Sequence, residues 1–286
     1  MRAFRPAVHC LANPGLTVFP TPHLAKILVY PIKSLDGVEV TQAELLAGGA
    51  LTHDREFALF DQAGTVINAK RTDKIHIIRS EFDLAGRTVT VWRQQEGVGL
   101  PAQSAYRQPF HLDQDRAALA TWFSDFFGYP VHIQQNLHMG FPDDIHASGP
   151  TVVSVATLEA VASWFPAMTV EAVRRRFRAN LEIEAAPAFW EDRLFAESGE
   201  LVPFQIGAVR LLSSNPCQRC IVPTRNPWTG DRLPNFQKGF NANRSQTLPP
   251  DVVPARFDHF YKLTTNTQVP ASEAGKSLRL GDPVQV

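Results

Sequence analysis

Residues 215–230 read NPCQRCIVPTRNPWTG and hold two of the three cysteines of the chain. Arg219 lies between Cys217 and Cys220, and Pro, Asn and Gly make up much of the remainder. Proline and glycine at this density interrupt both helices and strands, so we predict an irregular loop. Thiolates on a loop beside a cation are typical of a chemical site and not of a packing element.

The spacing of Cys217 and Cys220 is compatible with several kinds of site. A four-cysteine zinc site is excluded because Cys10 is the only other cysteine. A thioredoxin-type redox pair needs its first cysteine at a helix N-terminus, and Pro223 and Pro227 disfavour a helix here. Buried, inert thiols are disfavoured by the polar residues between the cysteines. One thiolate that serves as the ligand of a soft or high-valent metal fits best.

Composition and charge exclude several classes of protein. The chain has 286 residues, 44% hydrophobic and 20% charged, which suits one large or two moderate globular domains. Lys plus Arg and Asp plus Glu number 28 each, so the net charge gives no footprint for nucleic acid or an anionic membrane. No apolar run reaches the roughly 18–20 residues of a membrane span. Few cysteines and a poor secretory signal lead us to expect a cytoplasmic protein.

The first hundred residues carry the pattern of short antiparallel strands. Residues 24–30 read LAKILVY, an apolar run that predicts the first strand, and residues 61–64 (DQAG) predict a hairpin turn. Predicted strands lie at 24–30, 38–40, 57–60, 65–69, 75–80 and 88–93, whereas the type of residues 42–46 stays open. Such a succession closes as a barrel or sandwich. We therefore predict a β-barrel-like domain over residues 24–140, after an extension at 1–23.

Beyond residue 110, helical and strand patterns alternate. The apolar stripe of residues 113–127, ended by Gly128, predicts a helix. Further predictions are helices at 157–165 and 170–177 and strands at 131–133, 151–155, 181–184, 205–213, 262–265, 278–280 and 284–286. Residues 221–250 lack periodicity and predict a long ordered excursion. The fold class is mainly β with short helices (α+β), and a second β-barrel domain spans residues 141–286.

Several basic residues lie at the ends of predicted elements. Lys33, followed by Ser34, comes straight after a strand, and Arg55 opens another. Lysine and arginine side chains donate strong hydrogen bonds to phosphate oxygens. Lys33 and Arg55 are therefore candidates for binding one phosphate group together. Residues 174–176 (RRR) end a helix, where the helix dipole favours cations, and we predict that they are solvated. The nine histidines show no metal-binding spacing.

Five motifs occur along the chain in order, and together they are far more specific than any one alone. They are Tyr30-Pro31-Ile32-Lys33-Ser34, Asp54-Arg55, Ser148-Gly149-Pro150, Arg176-Phe177-Arg178-Ala179-Asn180, and Cys217-Gln218-Arg219-Cys220 with Thr224 and the segment 226–230 (NPWTG). This order resembles the MOSC family (molybdenum cofactor sulfurase C-terminal domain), preceded by its N-terminal β-barrel domain. The resemblance covers residue 24 to the end. In form, the chain is similar to amidoxime-reducing components and their bacterial counterparts.

The resemblance implies a molybdenum cofactor (Mo-molybdopterin) held between two β-rich domains. It implies that Cys220 ligates molybdenum, that Cys217 is a neighbour and not a ligand, and that Arg219 supports the site. The implied contacts to the cofactor's phosphate and pterin come from Lys33, Ser34, Arg55, Arg178 and Asn180. The cofactor-binding set implied by the resemblance is completed by Asp54, Ser148, Gly149, Cys217 and Thr224.

Three departures from the family pattern are visible. Ala147 stands where many members carry Asp, so one hydrogen bond to the pterin is lost or replaced. Ala179 stands for the proline of the usual Arg-Pro-Asn, which is expected to be harmless. Arg225 and Trp228 lie in the segment that usually reads TVDPxTG, and we expect them to reshape the substrate entrance.

The resemblance also implies an activity. Its members are oxidoreductases that reduce N-hydroxylated compounds (amidoximes, hydroxylamines and N-hydroxylated bases) by two electrons, and the oxygen leaves as water. No cysteine follows Cys220, so we expect electrons from a separate ferredoxin, flavodoxin or flavin reductase. The alternative is a carrier, in which Cys220 or Cys217 holds persulfide sulfur, or the chain holds the cofactor, for delivery to another enzyme.

Overall fold

The computed structural model describes residues 21–94 and 107–286, so most of the predicted extension at 1–23 lies outside the described residues. The described chain is mainly β-sheet with four short α-helices, which confirms the predicted fold class. Its strands are β1 (His23–Val29), β2 (Val38–Val40), β3 (Gln42–Glu44), β4 (Phe57–Asp61), β5 (Val66–Ile67), β6 (Ile78–Asp83), β7 (Thr88–Arg93), β8 (Gln108–His111), β9 (Val131–Gln135), β10 (Val152–Ser154), β11 (Leu181–Glu184), β12 (Val202–Ile206), β13 (Val209–Gln218), β14 (Lys262–Gln268), β15 (Ser277–Arg279) and β16 (Val284–Gln285). Its helices are α1 (Arg116–Phe127), α2 (Val155–Ser163), α3 (Val170–Phe177) and α4 (Phe236–Arg244). Within these two ranges, none of the helices combines the length and apolarity that crossing a bilayer requires.

One eight-stranded sheet joins the two ends of the described chain. Its order is β16-β12-β13-β14-β10-β11-β1-β2. β1 pairs antiparallel with β11, where Ile27 lies opposite Leu181, and β10 pairs parallel with β11. In a small second sheet, β3 pairs with β15 near the C-terminus. The predicted division between residues 140 and 141 stays a prediction, and strands β1 and β3 pair across it with β11 and β15.

Three clusters of buried apolar side chains form the core. The first lies on the eight-stranded sheet, the second joins the β5-β4-β9 and β6-β7-β8 sheets to α1, and the third joins α2, α3 and α4. Val29 belongs to the first cluster and Ile32 to the second, while Phe177 belongs to the third and Leu181 to the first. The connecting residues, which include Tyr30 and Arg178, therefore lie where the clusters meet.

Local signals explain where the helices begin and end. Thr169 caps α3 by accepting a hydrogen bond from the Ala172 N–H at 3.1 Å, and α3 ends at Arg178 in a left-handed conformation. Ser154 caps α2 in the same way through the Thr157 N–H. The predicted helix at residues 170–177 is thus confirmed over its full length, whereas α2 begins before the predicted start.

The strand predicted at residues 205–213 is wrong as a single element. Gly207, with φ +57°, turns the chain between β12 and β13, which pair antiparallel. β13 then continues to Gln218, so the first four residues of the stretch predicted as an irregular loop, 215–218, belong to a strand. Two irregularities in the pairing of β13 with β14 accommodate Pro216, which has no N–H to donate.

The helix α4 lies inside residues 221–250, where no periodicity was predicted. Phe236 and Phe240, one turn apart, are both buried in the third cluster and stack with neighbouring aromatic rings. Gly and Asn lower the intrinsic helix propensity of this segment, so packing of the two phenylalanines outweighs the local preference. The prediction of an aperiodic excursion is therefore wrong for these residues.

The end of α4 carries a buried ion pair. Arg244 is 0% exposed and donates to the Asp192 carboxylate, and its guanidinium lies 4.6 Å from the ring centre of Phe189. Burial raises the pKa of Asp192, and Arg244 partly offsets this effect. Burial, with the neighbouring Asp192 charge, also raises the pKa of Glu191 to about 7. The buried charges of Arg244 and Asp192 are tolerated because each is the partner of the other.

Candidate functional site

A cavity of about 790 Å³ opens between the segments that carry the predicted site residues. Eleven of the twelve predicted residues line it: Lys33, Ser34, Asp54, Arg55, Ser148, Gly149, Arg178, Asn180, Cys217, Arg219 and Cys220. Thr224 is not among the described lining residues, because its hydroxyl turns back and donates to Ile221 O at 2.7 Å. Motifs spread over nearly 190 residues are thus brought to one cavity.

One end of the cavity is a cluster of cations around Asp143. Lys33 is 8% exposed, and its Nζ donates to Phe141 O at 2.8 Å and to Asp143 Oδ1 at 2.6 Å. Lys70 Nζ lies 3.4 Å from Asp143 Oδ2. Burial lowers the pKa of Lys33, and the Asp143 carboxylate partly offsets this. Although burial raises the pKa of Asp143, the lysines hold it below its usual range. This end of the cavity is built to hold an anion.

The middle of the cavity is organised by the ring of Tyr30. The guanidinium of Arg178 lies 3.9 Å from its centre, and that of Arg55 lies 5.2 Å from it. Asp54 Oδ1 accepts the Tyr30 N–H at 2.9 Å, and the other Asp54 oxygen accepts from Arg55. Burial raises the pKa of Tyr30 to about 12, so its hydroxyl stays protonated. Two cations are thereby held side by side on one aromatic surface.

Asn180 and Ser148 tie the walls of the cavity to the sheet. Asn180 Nδ2 donates to Leu28 O at 2.9 Å, and Asn180 Oδ1 accepts from the Thr151 N–H at 3.2 Å. The Ser148 hydroxyl donates to Gly48 O. Both side chains therefore hold neighbouring backbone segments in register, in addition to lining the cavity.

Three of the predicted residues have left-handed backbone conformations. The φ values are +71° at Ser34, +52° at Arg55 and +54° at Arg178. Left-handed conformations are uncommon for residues with a Cβ, and they concentrate at functional sites that the surrounding structure holds in place. All three residues line the cavity, so the strained backbone positions and the cationic side chains lie in one place.

The thiol end of the cavity is arranged by Arg219. Its Nη1 donates to Cys217 Sγ at 2.9 Å, and its Nη2 donates to Phe177 O at 2.7 Å. The backbone N–H of Arg219 donates to Tyr261 O at 2.9 Å. Cys217 and Cys220 are both half-buried. The arginine between the two cysteines thus supports the sulfur of Cys217 directly and fixes the backbone one residue before Cys220.

The prediction that residues 174–176 are solvated cations is wrong. Arg174 pairs with the buried carboxylate of Glu182, its Nε lying 2.5 Å from Glu182 Oε1. Arg176 is buried, and its Nη1 donates to Pro223 O at 2.8 Å and to Arg225 O. Burial lowers the pKa of Arg176 to about 10. These arginines form the wall of the cavity and not a hydrated helix end.

Sequence reasoning missed Arg176 as a site residue although a signal was present. Ala172, Val173, Arg176 and Phe177 share the buried face of α3. An arginine at helical spacing from apolar residues is directed to the same side as they are. Arg176 therefore reaches the turn after Cys220 and holds it through two carbonyl groups.

The segment after Cys220 is fastened to the first half of the chain. Arg225 Nη1 lies 3.2 Å from Asp73 Oδ2, and Arg79 Nη2 donates to Pro227 O at 3.2 Å. The guanidinium of Arg175 lies 5.7 Å from the ring centre of Trp228. The departures Arg225 and Trp228 are thus parts of a clamp that holds this segment beside the cavity, which Arg79 and Pro227 line. The expectation that they reshape the substrate entrance stays a prediction.

The residues around the cavity fit a large phosphate-bearing group that carries a metal. Arg178 Nη2 and Arg219 Nε are buried, and in the part of the chain that the structure describes neither finds a hydrogen-bond partner. A Cβ at Gly149 would lie 2.4 Å from Thr267 Oγ1, so only glycine allows this close approach of the backbone. Guanidinium groups with unused donors, an anion-binding lysine and a half-buried thiol suit a polyanionic ligand with a soft metal.

Replacing Gly140 by alanine is expected to destabilise the wall of the cavity. Gly140 has φ +64°, and a Cβ there would lie 2.4 Å from Asp54 O and 3.0 Å from Arg55 O. A left-handed alanine costs about 1–2 kcal/mol, and forcing a methyl group against the backbone adds roughly 1–3 kcal/mol. We expect the free energy of unfolding, measured with urea, to fall by the sum of the conformational cost and the contact cost.

Gly64→Ala is the matched control for Gly140→Ala. Gly64 has φ +72°, and its Cβ would meet no atom within 4 Å among the described residues. It should therefore cost the left-handed penalty alone, about 1–2 kcal/mol. Equal losses in the two variants would show that contact with Asp54 and Arg55 is unimportant.

Comparison with known proteins agrees with the motifs. Residues 21–130 match the MOSC N-terminal beta barrel domain, and residues 142–285 match the MOSC domain. The chain is 24% identical to human mitochondrial amidoxime reducing component 2, over 91% of this chain and 82% of that protein. It is 24% identical to human mitochondrial amidoxime-reducing component 1, over 72% of this chain and 67% of that protein. It is 25% identical to the molybdenum cofactor sulfurase of Drosophila melanogaster, over 74% of this chain but only 29% of that protein.

The match to the MOSC domain spans just over half of the chain, and the two matches together leave only short segments uncovered. The resemblance inferred from the five motifs is thereby confirmed. Relatives of both kinds, amidoxime reducing components and molybdenum cofactor sulfurases, connect the chain with molybdenum-cofactor biology. The chain belongs to the MOSC family, with the family's N-terminal β-barrel domain ahead of its MOSC domain.

Proposed function

We propose that this protein is a molybdenum-cofactor-dependent oxidoreductase that reduces N-hydroxylated compounds such as amidoximes and hydroxylamines. The observation that carries the proposal is a single cavity that combines a buried anion-binding lysine, unused guanidinium donors and a half-buried cysteine pair. Human amidoxime reducing component 2 supports the reductive activity, because the similarity extends over most of both chains. The likeness to a cofactor sulfurase covers less than a third of that relative.

In this proposal the chain divides the work of holding the cofactor between the two ends of the cavity. Lys33, Ser34 and Arg55 bind the phosphate, because Lys33 Nζ and the Arg55 guanidinium already face an anion there. Arg178 contributes its unused Nη2 to the pterin region, and Gly149 lines the same cavity. The Cys220 sulfur is the ligand for molybdenum.

The reaction needs a metal, a route for protons and a dry pocket. When bound, the cofactor supplies the two-electron chemistry that converts N–OH to N–H with release of water. The chain supplies guanidinium groups that orient polar substrate atoms, and the clamp of Arg79, Arg225 and Trp228 narrows access of water. Arg219 holds Cys217 and, through its backbone, the approach to Cys220.

We further propose that electrons arrive from a separate ferredoxin, flavodoxin or flavin reductase, in the cytoplasm. Three cysteines are too few for the four thiolates of a common iron–sulfur cluster, and two of them line the proposed cofactor site. A redox group outside these 286 residues therefore accounts for electron supply most simply.

A sulfur-carrier function is the second candidate, and one contact favours it. Arg219 Nη1 donates to Cys217 Sγ at 2.9 Å, so a hydrogen-bond donor is already in place for sulfur held at this position. In that case Cys217 or Cys220 carries persulfide sulfur to another enzyme, and turnover needs no bound molybdenum. A metal-free protein with sulfide-releasing sulfur is the signature of this function.

The proposed reductase activity has a direct test. Protein produced in a host that makes the molybdenum cofactor is expected to hold near-stoichiometric molybdenum, measured by mass spectrometry of the metal. Supplied with a chemically reduced viologen dye, it is expected to convert benzamidoxime to benzamidine, followed by chromatography. Protein from a cofactor-deficient host is the control and should be inactive.

Each alternative outcome identifies another function. Stoichiometric molybdenum without reduction of benzamidoxime or of an alkyl hydroxylamine would contradict the reductase and indicate a cofactor-holding protein. Metal-free protein with labile sulfur would contradict it and indicate a sulfur carrier.

A further inference from the structure

The carboxylate of Asp143 lies between the cations at the anion-binding end of the cavity. Its Oδ1 accepts from Lys33 Nζ at 2.6 Å, and its Oδ2 lies 3.4 Å from Lys70 Nζ. The positive charge of Arg55 acts on the same carboxylate. One monovalent carboxylate therefore contacts two ammonium groups, and Arg55, which has its own partner in Asp54, adds positive charge to the same region.

The charge of this cluster is better matched by a phosphate monoester than by Asp143. Lys33 and Lys70 together carry two positive charges, and Asp143 neutralises one of them. A phosphate monoester carries between about −1.5 and −2 at neutral pH and offers three strong acceptor oxygens. The three phosphate oxygens could therefore accept hydrogen bonds from Lys33, Lys70 and Arg55 at once. A carboxylate has only two oxygens to offer these donors.

The backbone before Asp143 is firmly held, whereas the side chain itself is not. The Phe141 N–H donates to Arg55 O at 2.9 Å, and the Phe141 ring packs edge-on against Phe60 at 5.6 Å. The side chain of Asp143 is nevertheless 61% exposed, and the neighbouring Ile145 is exposed as well. Rotation about the Asp143 side chain can thus release both lysines while the cavity wall stays in place.

We propose that Asp143 is a built-in competitor of the phosphate group for Lys33 and Lys70, so that a phosphate-bearing ligand binds by displacing this carboxylate. In this arrangement Asp143 keeps the buried ammonium of Lys33 paired. It also disfavours binding of weakly charged anions, because these do not displace its carboxylate from the lysines. The inference rests on the proposed function in taking the cofactor's phosphate as the natural occupant. The competition itself concerns a phosphate monoester of any origin.

The test uses metal-free protein and inorganic phosphate as the probe. Thermal unfolding is followed as phosphate replaces chloride at constant ionic strength, which removes the general effect of salt. Asp143→Asn is expected to lower the phosphate concentration for half-maximal stabilisation about two- to fivefold, the range expected for loss of one partly exposed charge pair. Lys33→Met is expected to abolish the stabilisation, and Lys70→Met serves if Lys33→Met does not fold.

Asp144→Asn is the matched control. Asp144 also lines the cavity, but its carboxylate accepts the His146 N–H at 2.9 Å and stays within its own turn. The phosphate response of this variant should equal that of the unchanged protein.

Two results would overturn the proposal. One is an unchanged or weakened phosphate response in Asp143→Asn, which would make Asp143 a bystander or a part of the binding site. The other is the absence of stabilisation by phosphate in every variant, which would remove the anion site itself. The thermal unfolding experiment measures no reduction. A failure of the reductase assay therefore leaves the phosphate result valid, and a failure of the phosphate experiment leaves the reductase result valid.

Discussion

Replacing Cys220 by serine is expected to lower the molybdenum content of the purified protein more than about tenfold and to abolish reduction of N-hydroxylated compounds. A serine hydroxyl is a harder and far less acidic group than a thiol, so it is a poor replacement for a thiolate ligand of a soft or high-valent metal. Metal analysis and the viologen-coupled assay measure the two effects on the same sample.

Cys217→Ser is the matched variant, because Cys217 lines the same cavity three residues away. Its sulfur already accepts from Arg219, and serine can accept the same hydrogen bond. We expect the molybdenum content to stay within about twofold of the unchanged protein, well short of the roughly 10–100-fold loss of affinity that follows removal of a group supporting a metal ligand. Loss of molybdenum in Cys217→Ser with retention in Cys220→Ser would reverse the assignment of the two cysteines. Equal loss in both would contradict the single-ligand proposal.

Replacing Arg244 by methionine is expected to produce the largest loss of stability. Arg244 is fully buried, and its removal leaves the Asp192 carboxylate buried without its cation. Breaking a buried ion pair in this way costs about 3–5 kcal/mol at neutral pH. Urea unfolding followed by circular dichroism measures the change.

The loss in Arg244→Met should also depend on pH in a defined direction. Burial raises the pKa of Asp192 in the folded protein, and removing Arg244 raises it further. A carboxyl group with a raised folded-state pKa binds more protons when folded, so stability falls as the pH rises above its ordinary value near 3.9. The destabilisation is therefore expected to be larger at pH 7 than at pH 5.

Arg193→Met is the control for the buried pair. Arg193 also pairs with a carboxylate, Asp251, at 2.9 Å, but both side chains are substantially exposed. Removing an exposed pair costs about 0–1 kcal/mol. If Arg193→Met and Arg244→Met lost the same stability, or if the loss in Arg244→Met did not change with pH, the account of the buried pair would be wrong.

Local sequence patterns were sufficient for most secondary-structure elements, whereas the site residues were predicted from the resemblance of five ordered motifs to a family. The strand over residues 24–30 and the helix α3 follow from apolar patterning and end signals that act within a few residues. Ordered motifs led to Lys33, Arg55 and Cys220, which share one cavity. These features are visible in the sequence because each depends on neighbours along the chain.

What could not be read from the sequence depends on partners far along the chain. Asp143 lies next to Asp144, and nothing local distinguishes the aspartate that reaches Lys33 from the one that stays in its own turn. Arg176 and Arg175 are adjacent cations, yet one is buried against Pro223 and the other lies beside Trp228. Helix α4 forms through packing of Phe240 against distant rings despite weak helix propensity.

The pairing of β1 with β11 has a consequence for synthesis of the protein. Ile27 leaves the ribosome about 150 residues before its partner Leu181, a delay of roughly 10–30 s at ordinary elongation rates. During that time the nascent chain holds an apolar strand with one open hydrogen-bonding edge, since only its other edge can pair with β2, and such an edge is prone to aggregation. Yield from fast, strong expression should therefore suffer more than yield from slow, cool expression, and chaperones that hold extended apolar segments should raise the soluble fraction.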